Sequence, residues 1–113
     1  MSDETWRRLL DPDHVVQGFG AVLDGHLVGI VHYLFHPVTW STGPRCYLED
    51  LFTSKDARGQ GVGRALIAAV HREAQKAGAD QVYWLTESHN RRAQALYDKV
   101  ATKTPFIKYA QVL

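Results

Sequence analysis

With 113 residues the chain has room for one domain and a modest core, and an apolar content of 45% is ordinary for a globular protein. No apolar run approaches the roughly 20 residues of a membrane span, the acidic opening Met1-Ser2-Asp3-Glu4 lacks a secretion signal, and a net charge of +1 without a basic block gives no electrostatic case for nucleic acid. The one cysteine, Cys46, excludes an internal disulfide framework and suits a reducing cytoplasm, where the protein is expected to reside.

Residues 3–10 read as a short helix with Ser2 as its N-cap, acids in its first turn and Pro12 beyond its end. Residues 15–23 and 26–35 are apolar runs joined by Asp24-Gly25, a strong two-residue hairpin signal. A polar, proline-bearing loop at 36–44 leads into a strand at 46–53, rich in aromatic and β-compatible residues. The segment Arg58-Gly59-Gln60-Gly61-Val62-Gly63-Arg64 then opens a long amphipathic helix. In that helix Val62, Leu66, Val70 and Ala74 fall four apart, with Ala65, Ala69 and Ala77 expected on the same face and Gly78 as the stop. Residues 81–86 read as a further strand, 91–100 as a helix with Ala93, Leu96, Tyr97 and Val100 along one side, and 106–112 as a last strand. The order α-β-β-β-α-β-α-β predicts one domain over residues 1–113 of α/β class (α+β in some schemes), a mixed sheet flanked by helices.

A glycine-rich turn that opens a helix bares backbone N–H groups at the positive end of the helix dipole, a ready seat for phosphate. A nucleoside-triphosphate loop would end in Gly-Lys-Ser/Thr, whereas Arg64-Ala65 follow the last glycine here. A dinucleotide fingerprint would space its glycines G-x-G-x-x-G after a wholly apolar strand, whereas this strand carries Glu49 and Asp50. The pattern present is R-x-x-G-x-G, Arg58 to Gly63, and it resembles that of the GNAT N-acetyltransferase superfamily, which seats the pyrophosphate of acetyl-CoA there. Tyr47-Leu48-Glu49-Asp50-Leu51-Phe52 ahead of it resembles the diamine and polyamine acetyltransferase branch. Val82-Tyr83-Trp84-Leu85-Thr86, Asn90, Ala95-Leu96-Tyr97-Asp98-Lys99-Val100 and Pro105-Phe106-Ile107-Lys108-Tyr109 look like fungal histone and polyamine acetyltransferases and their bacterial relatives. The resemblance covers residues 45–113 strongly and 15–35 more loosely.

The resemblance implies a mixed, mostly antiparallel central sheet flanked by helices, with acetyl-CoA as co-substrate and an amine as acceptor. The family usually begins with a strand and one or two helices before the hairpin. Here that opening strand is missing, so either the chain is shortened at its N-terminus or a partner supplies the edge, and a homodimer is expected. Glu49 matches the catalytic glutamate that acts as base through water, and Tyr97, seven residues after Asn90, matches the general acid. Asp50, expected on the opposite face of its strand from Glu49, is a charge partner for a cationic acceptor. Leu51, Phe52 and Thr53 would offer backbone groups to the pantetheine, and Asn90 a hydrogen bond to it. The backbone N–H groups of Gly59, Gln60, Gly61, Val62, Gly63 and Arg64 would hold the pyrophosphate, with Arg58 and Arg64 adding charge.

Read without the resemblance, Glu49 is a solvated strand residue, Tyr97 a core aromatic and Asn90 an N-cap. His32 and His36 are four apart, a metal-binding spacing only on a helix, so no metal is expected. Cys46 reads as a buried thiol, and Trp40 and Trp84 as packing, with the Trp40 loop bordering the acceptor pocket. The acceptor is a small-molecule amine or an amine on a protein. The rival readings are a coenzyme A-binding module without catalysis and a dimerisation module. Nucleic-acid and membrane partners have no support.

Overall fold

The computed structural model describes residues 15–113. The helix expected at residues 3–10 lies outside them. Strand β1 (Gln17–Leu23) and β2 (His26–His36) form the antiparallel hairpin. Its turn places Asp24 at φ 51° and Gly25 at φ 80°, the paired positive angles whose twist matches that of the flanking strands. Strand β3 (Arg45–Thr53) lies antiparallel to β2, and β4 (Val82–Tyr83) lies parallel to β3, so the sheet runs β1-β2-β3-β4 and is mixed. Between β3 and β4 come a short 3-10 turn (Lys55–Ala57) and helix α1 (Val62–Lys76); α2 (Arg91–Val100) follows β4.

Helix α1 lies across one face of the sheet and touches all four strands. Val31, Tyr33, Cys46 and Leu48 are buried under its Val62, Leu66, Ile67, Val70 and Ala74. The buried stripe follows the predicted four-residue spacing but includes Ile67, whereas Ala65 and Ala77 face solvent. Gly29 permits the close approach: a Cβ there would stand 2.6 Å from Val62 Cγ1 and 3.0 Å from Leu66 Cδ1. Ala77 caps the helix, and Gly78, at φ 73°, turns the chain out of it, as its position in the sequence predicted.

Two strand expectations change. The strand read at 81–86 narrows to Val82–Tyr83, because Trp84 and the residues after it diverge from β3. The strand read at 106–112 does not form, and residues 106–113 are irregular and exposed. Phe106, Ile107, Tyr109 and Val112 carry strand propensity, but a strand exists only where a neighbouring edge pairs its backbone, and no described edge does so. Trp40 is also exposed rather than packed, with the Arg45 guanidinium 5.8 Å from its ring centre. Among the described residues no helix is long and apolar enough to cross a membrane.

Candidate active site

The site begins with an irregularity in β3. His32 pairs with Asp50 and Tyr33 with Leu48, so Glu49 is a surplus residue, a β-bulge. The bulge breaks the alternation of side chains. Leu48 is buried, Glu49 and Asp50 are both exposed, and Leu51 and Thr53 return to the side of α1. Asp50 therefore joins Glu49 in solvent instead of opposing it, a correction to the simple two-residue period. The parallel ladder with β4 ends just before the bulge, at Tyr47↔Tyr83. From Leu48 to Thr53 the edge of β3 away from β2 has no described strand beside it.

The divergence leaves a cleft of about 290 Å³. Leu48, Glu49, Asp50 and Leu51 form one wall; Trp84, Leu85, Thr86, Glu87, Asn90 and Tyr97 form the other. The proposed base and acid, distant in sequence, thus line one cleft from opposite sides. Tyr97 is half-buried, its ring edge-on to Trp84 at 5.4 Å between centroids. Burial pushes its phenol above the usual value, so the hydroxyl keeps its proton at neutral pH. Asn90 caps α2, its Oδ1 accepting from the Ala93 N–H at 3.1 Å, and it lines the cleft as well. The cap occupies that oxygen and leaves its amide nitrogen for a ligand.

Leu51, Phe52 and Thr53 spend one backbone edge on Val31, Ile30 and Gly29 of β2. The chain then passes through the 3-10 turn, anchored by the Ser54 N–H to the Val28 carbonyl at 2.8 Å, into the glycine loop. Gly59 and Gly61 adopt φ 84° and 80°, a region that disfavours other residues. Gly61 is the N-cap of α1 and has no side chain with which to cap it, and the first turn holds no acid. The Ala65 amide bonds the Gly61 carbonyl at 3.0 Å; the amides of Val62, Gly63 and Arg64, one turn earlier, are the open donors of the helix start. Gln60 differs from its neighbours, since its backbone N–H already bonds the Ala57 carbonyl at 3.3 Å. Arg58 and Arg64 are exposed beside these amides. At Gly63 a Cβ would come within 3.2 Å of Leu96 Cδ2, so the bare glycine lets the start of α1 lie against α2.

Arg45 and Asp80 hold the short β3–β4 ladder at its base. Arg45 Nη2 donates to Asp80 Oδ2 at 2.7 Å and Nε to Oδ1 at 3.1 Å, while the Cys46 N–H bonds the Gln81 carbonyl at 3.0 Å. Cys46 itself is fully buried, and burial pushes its thiol up to about 11, so it is inert as a nucleophile. His36 bonds the Tyr83 hydroxyl through Nε2 at 2.8 Å. Among the described residues no group of three His, Cys, Asp or Glu is placed to hold a metal.

Sequence reasoning missed Trp84 and Glu87 as cleft walls and His32 as a partner of Asp50, whose carboxylate it meets at 3.0 Å. The signals for Trp84 and Glu87 lie in a divergence of strands that no local pattern encodes. His32 could have been found by laying β2 against β3, but only with the bulge in register.

Comparison with known proteins agrees with this geometry. The chain is 40% identical over 109 residues to the D-amino-acid N-acetyltransferase HPA3 of Saccharomyces cerevisiae, covering 93% of this chain and 66% of that one. It is 37% identical over 71 residues to the thialysine N-epsilon-acetyltransferase of Bos taurus, covering 63% of this chain and 41% of that one. The chain thus spans just under two thirds of the first relative and less than half of the second. The aminoglycoside N-acetyltransferase AAC(6')-Iy, solved in complex with CoA, superposes with a TM-score of 0.82 at 24% identity, over 96% of this chain and 74% of that one, and so shares the fold. With the family model matching residues 1–101, the chain belongs to the acetyltransferase (GNAT) family.

Proposed function

We propose that this protein is an acetyl-CoA-dependent N-acetyltransferase that moves an acetyl group to a primary amine by direct attack within a ternary complex. One observation carries the reading: the bulge at Glu49 and the divergence of β4 open a cleft that Glu49 and Tyr97 line from opposite walls. The open edge of β3 runs towards the glycine loop, so a ligand could bond the backbone of Leu51–Thr53 while its pyrophosphate meets the amides of Val62, Gly63 and Arg64. Arg58 and Arg64 add charge there.

An aliphatic ammonium has a pKa near 10 and must lose a proton before it attacks. Glu49, acting through water, takes that proton. The amine nitrogen bonds the thioester carbonyl carbon, the carbon–sulfur bond breaks, and Tyr97 gives its proton to the departing thiolate; the second proton, which the nitrogen sheds as it becomes an amide, leaves through water and restores the Tyr97 phenol. No acyl-enzyme is required, and the inert Cys46 agrees with that. Among the described residues the charged side chains lining the cleft are Glu49, Asp50 and Glu87, with no cation among them, which favours a positively charged acceptor. The relatives' names point to acceptors that carry amines, D-amino acids and thialysine. We assign the protein to the cytoplasm on its one reduced, buried cysteine. We expect a homodimer because, among the described residues, β1 has no strand on its outer edge and residues 106–113 expose apolar side chains.

Calorimetric titration with acetyl-CoA, dephospho-CoA and phosphopantetheine tests the coenzyme seat. Acetyl-CoA and dephospho-CoA, which keep the pyrophosphate, should bind with similar micromolar affinity, and phosphopantetheine much more weakly. Absence of binding by folded protein would defeat the proposal. Binding without transfer to any of a panel of amines would leave a coenzyme-binding module.

A further inference from the structure

His32 takes no part in the acid–base pair, yet its surroundings are hard to explain as packing. It stands on β2 directly opposite Asp50 of β3, with Nδ1 3.0 Å from Asp50 Oδ2. The imidazole side chain is only 12% exposed, whereas the Asp50 side chain is 63% exposed. Because an ionised carboxylate can only accept, Nδ1 must carry the hydrogen. The other ring nitrogen, Nε2, is buried with no hydrogen-bond partner among the described residues. A bare buried polar atom costs stability, and a leucine on the same strand would fill the space without that cost. Packing therefore does not account for a histidine here; the contact with Asp50 does.

We propose that His32 is a positioning residue that fixes the Asp50 carboxylate, so that the second carboxylate oxygen receives the ammonium group of a cationic acceptor. An exposed aspartate otherwise samples several rotamers, and a ligand that binds one of them must offset the ordering. The bulge puts Asp50 beside Glu49 on the cleft wall, so an ammonium held by Asp50 is delivered next to the base. This inference rests on the cleft being the acceptor site, as proposed above, but it does not depend on acetyl transfer.

The test uses the full chain with spermidine as the probe cation, titrated by calorimetry with and without CoA present. The variants are His32→Leu, His32→Asn, Asp50→Asn and the double substitution His32→Leu with Asp50→Asn. The His32→Leu protein should melt no lower than the parent, bind spermidine about tenfold more weakly, and bind CoA unchanged. The His32→Asn protein should recover most of the loss, because its amide nitrogen can donate in place of Nδ1. Asp50→Asn should lose as much as His32→Leu, and the double variant no more than Asp50→Asn alone. If the parent protein fails to bind spermidine, or if His32→Leu binds it as tightly as the parent, the inference is overturned even when acetyl transfer is observed. If the pair governs spermidine binding while no acetyl group moves, the catalytic reading fails and this one stands.

Discussion

The two edges of β3 have opposite fates. Along one edge its backbone pairs with β2 from Arg45 to Thr53, with Glu49 as the interruption; along the other it pairs with β4 only at Cys46 and Tyr47. The same nine residues are therefore scaffold on one side and, in the proposed function, receptor on the other. An open strand edge is ordinarily a hazard, since its unpaired groups invite another chain. Here the wall formed by Trp84 to Glu87 and Tyr97 stands across the cleft from it, and in the proposed function the edge takes an extended ligand there. What separates the edges is one inserted residue and one strand that stops after two.

Changes on the receptor side should alter rates, and changes on the scaffold side should alter stability. The largest effect is expected from Glu49→Gln, which keeps the shape of the bulge and removes the base. It should lower kcat by about 10³-fold, and Tyr97→Phe by about 10²-fold, with the affinity for acetyl-CoA within about twofold of the parent in both. Steady-state kinetics beside calorimetry would check this. A parallel loss of coenzyme affinity in both variants would mean that these side chains hold the ligand and do not move protons. Because burial raises the Tyr97 phenol, its deprotonation should not depress kcat until the pH exceeds the ordinary phenol value near 10. A falling limb between pH 8 and 9 would have to belong to another group.

On the scaffold side, Leu66 is buried where α1 crosses the sheet. Leu66→Ala should cost about 3 kcal/mol in urea unfolding, the sum of lost transfer energy and the cavity left behind. A cost below about 1 kcal/mol would show that α1 is not held by this face. Gly61 belongs to both sides, since its φ of 80° starts the helix and its loop is the proposed anion seat. Gly61→Ala should cost about 1 kcal/mol in stability by forcing a Cβ into the left-handed region. It should also weaken coenzyme binding as the amides shift, and an unchanged affinity would move the pyrophosphate away from this loop.

The same division explains what could be read from the sequence. The Asp24-Gly25 turn, the α1 stripe ending at Gly78, and α2 with its Asn90 cap are local signals, each complete within a few residues, and all three formed. The roles proposed for Glu49 and Tyr97 rest on resemblance to a family; nothing in their local pattern separates a catalytic glutamate from a solvated one. The cleft that joins them was not legible, because a bulge is a property of a pairing between strands and not of one strand. The His32–Asp50 contact was hidden for the same reason. Residues 106–112 show the converse error: the propensity was present and the partner edge was not.

The smallest expected effect concerns the hinge between the two sides. Arg45 and Asp80 form a forked pair at the base of the β3–β4 ladder, next to the Asp80 N–H bond to the Pro44 carbonyl at 3.0 Å. The hydrogen bonds from Arg45 hold the Asp80 carboxyl below the usual carboxylate range. A carboxyl whose pKa is lowered by folding contributes stability above its unfolded value, about 3.9, and loses it as the pH falls through the lower folded value. Both side chains remain reachable by water, so the contribution is small and screened by salt. Asp80→Asn should therefore melt slightly below the parent at pH 6, with the gap closing as the pH is lowered below about 4. A gap that persisted in acid would assign the effect to packing and not to charge. Because the pair anchors the start of β4, at the end of the ladder away from the divergence, the same variant should raise the Kd for acetyl-CoA by less than about threefold, through a looser Trp84 wall. A much larger loss would mean that the fork sets the width of the cleft, and that scaffold and receptor are less separable than the two edges of β3 suggest.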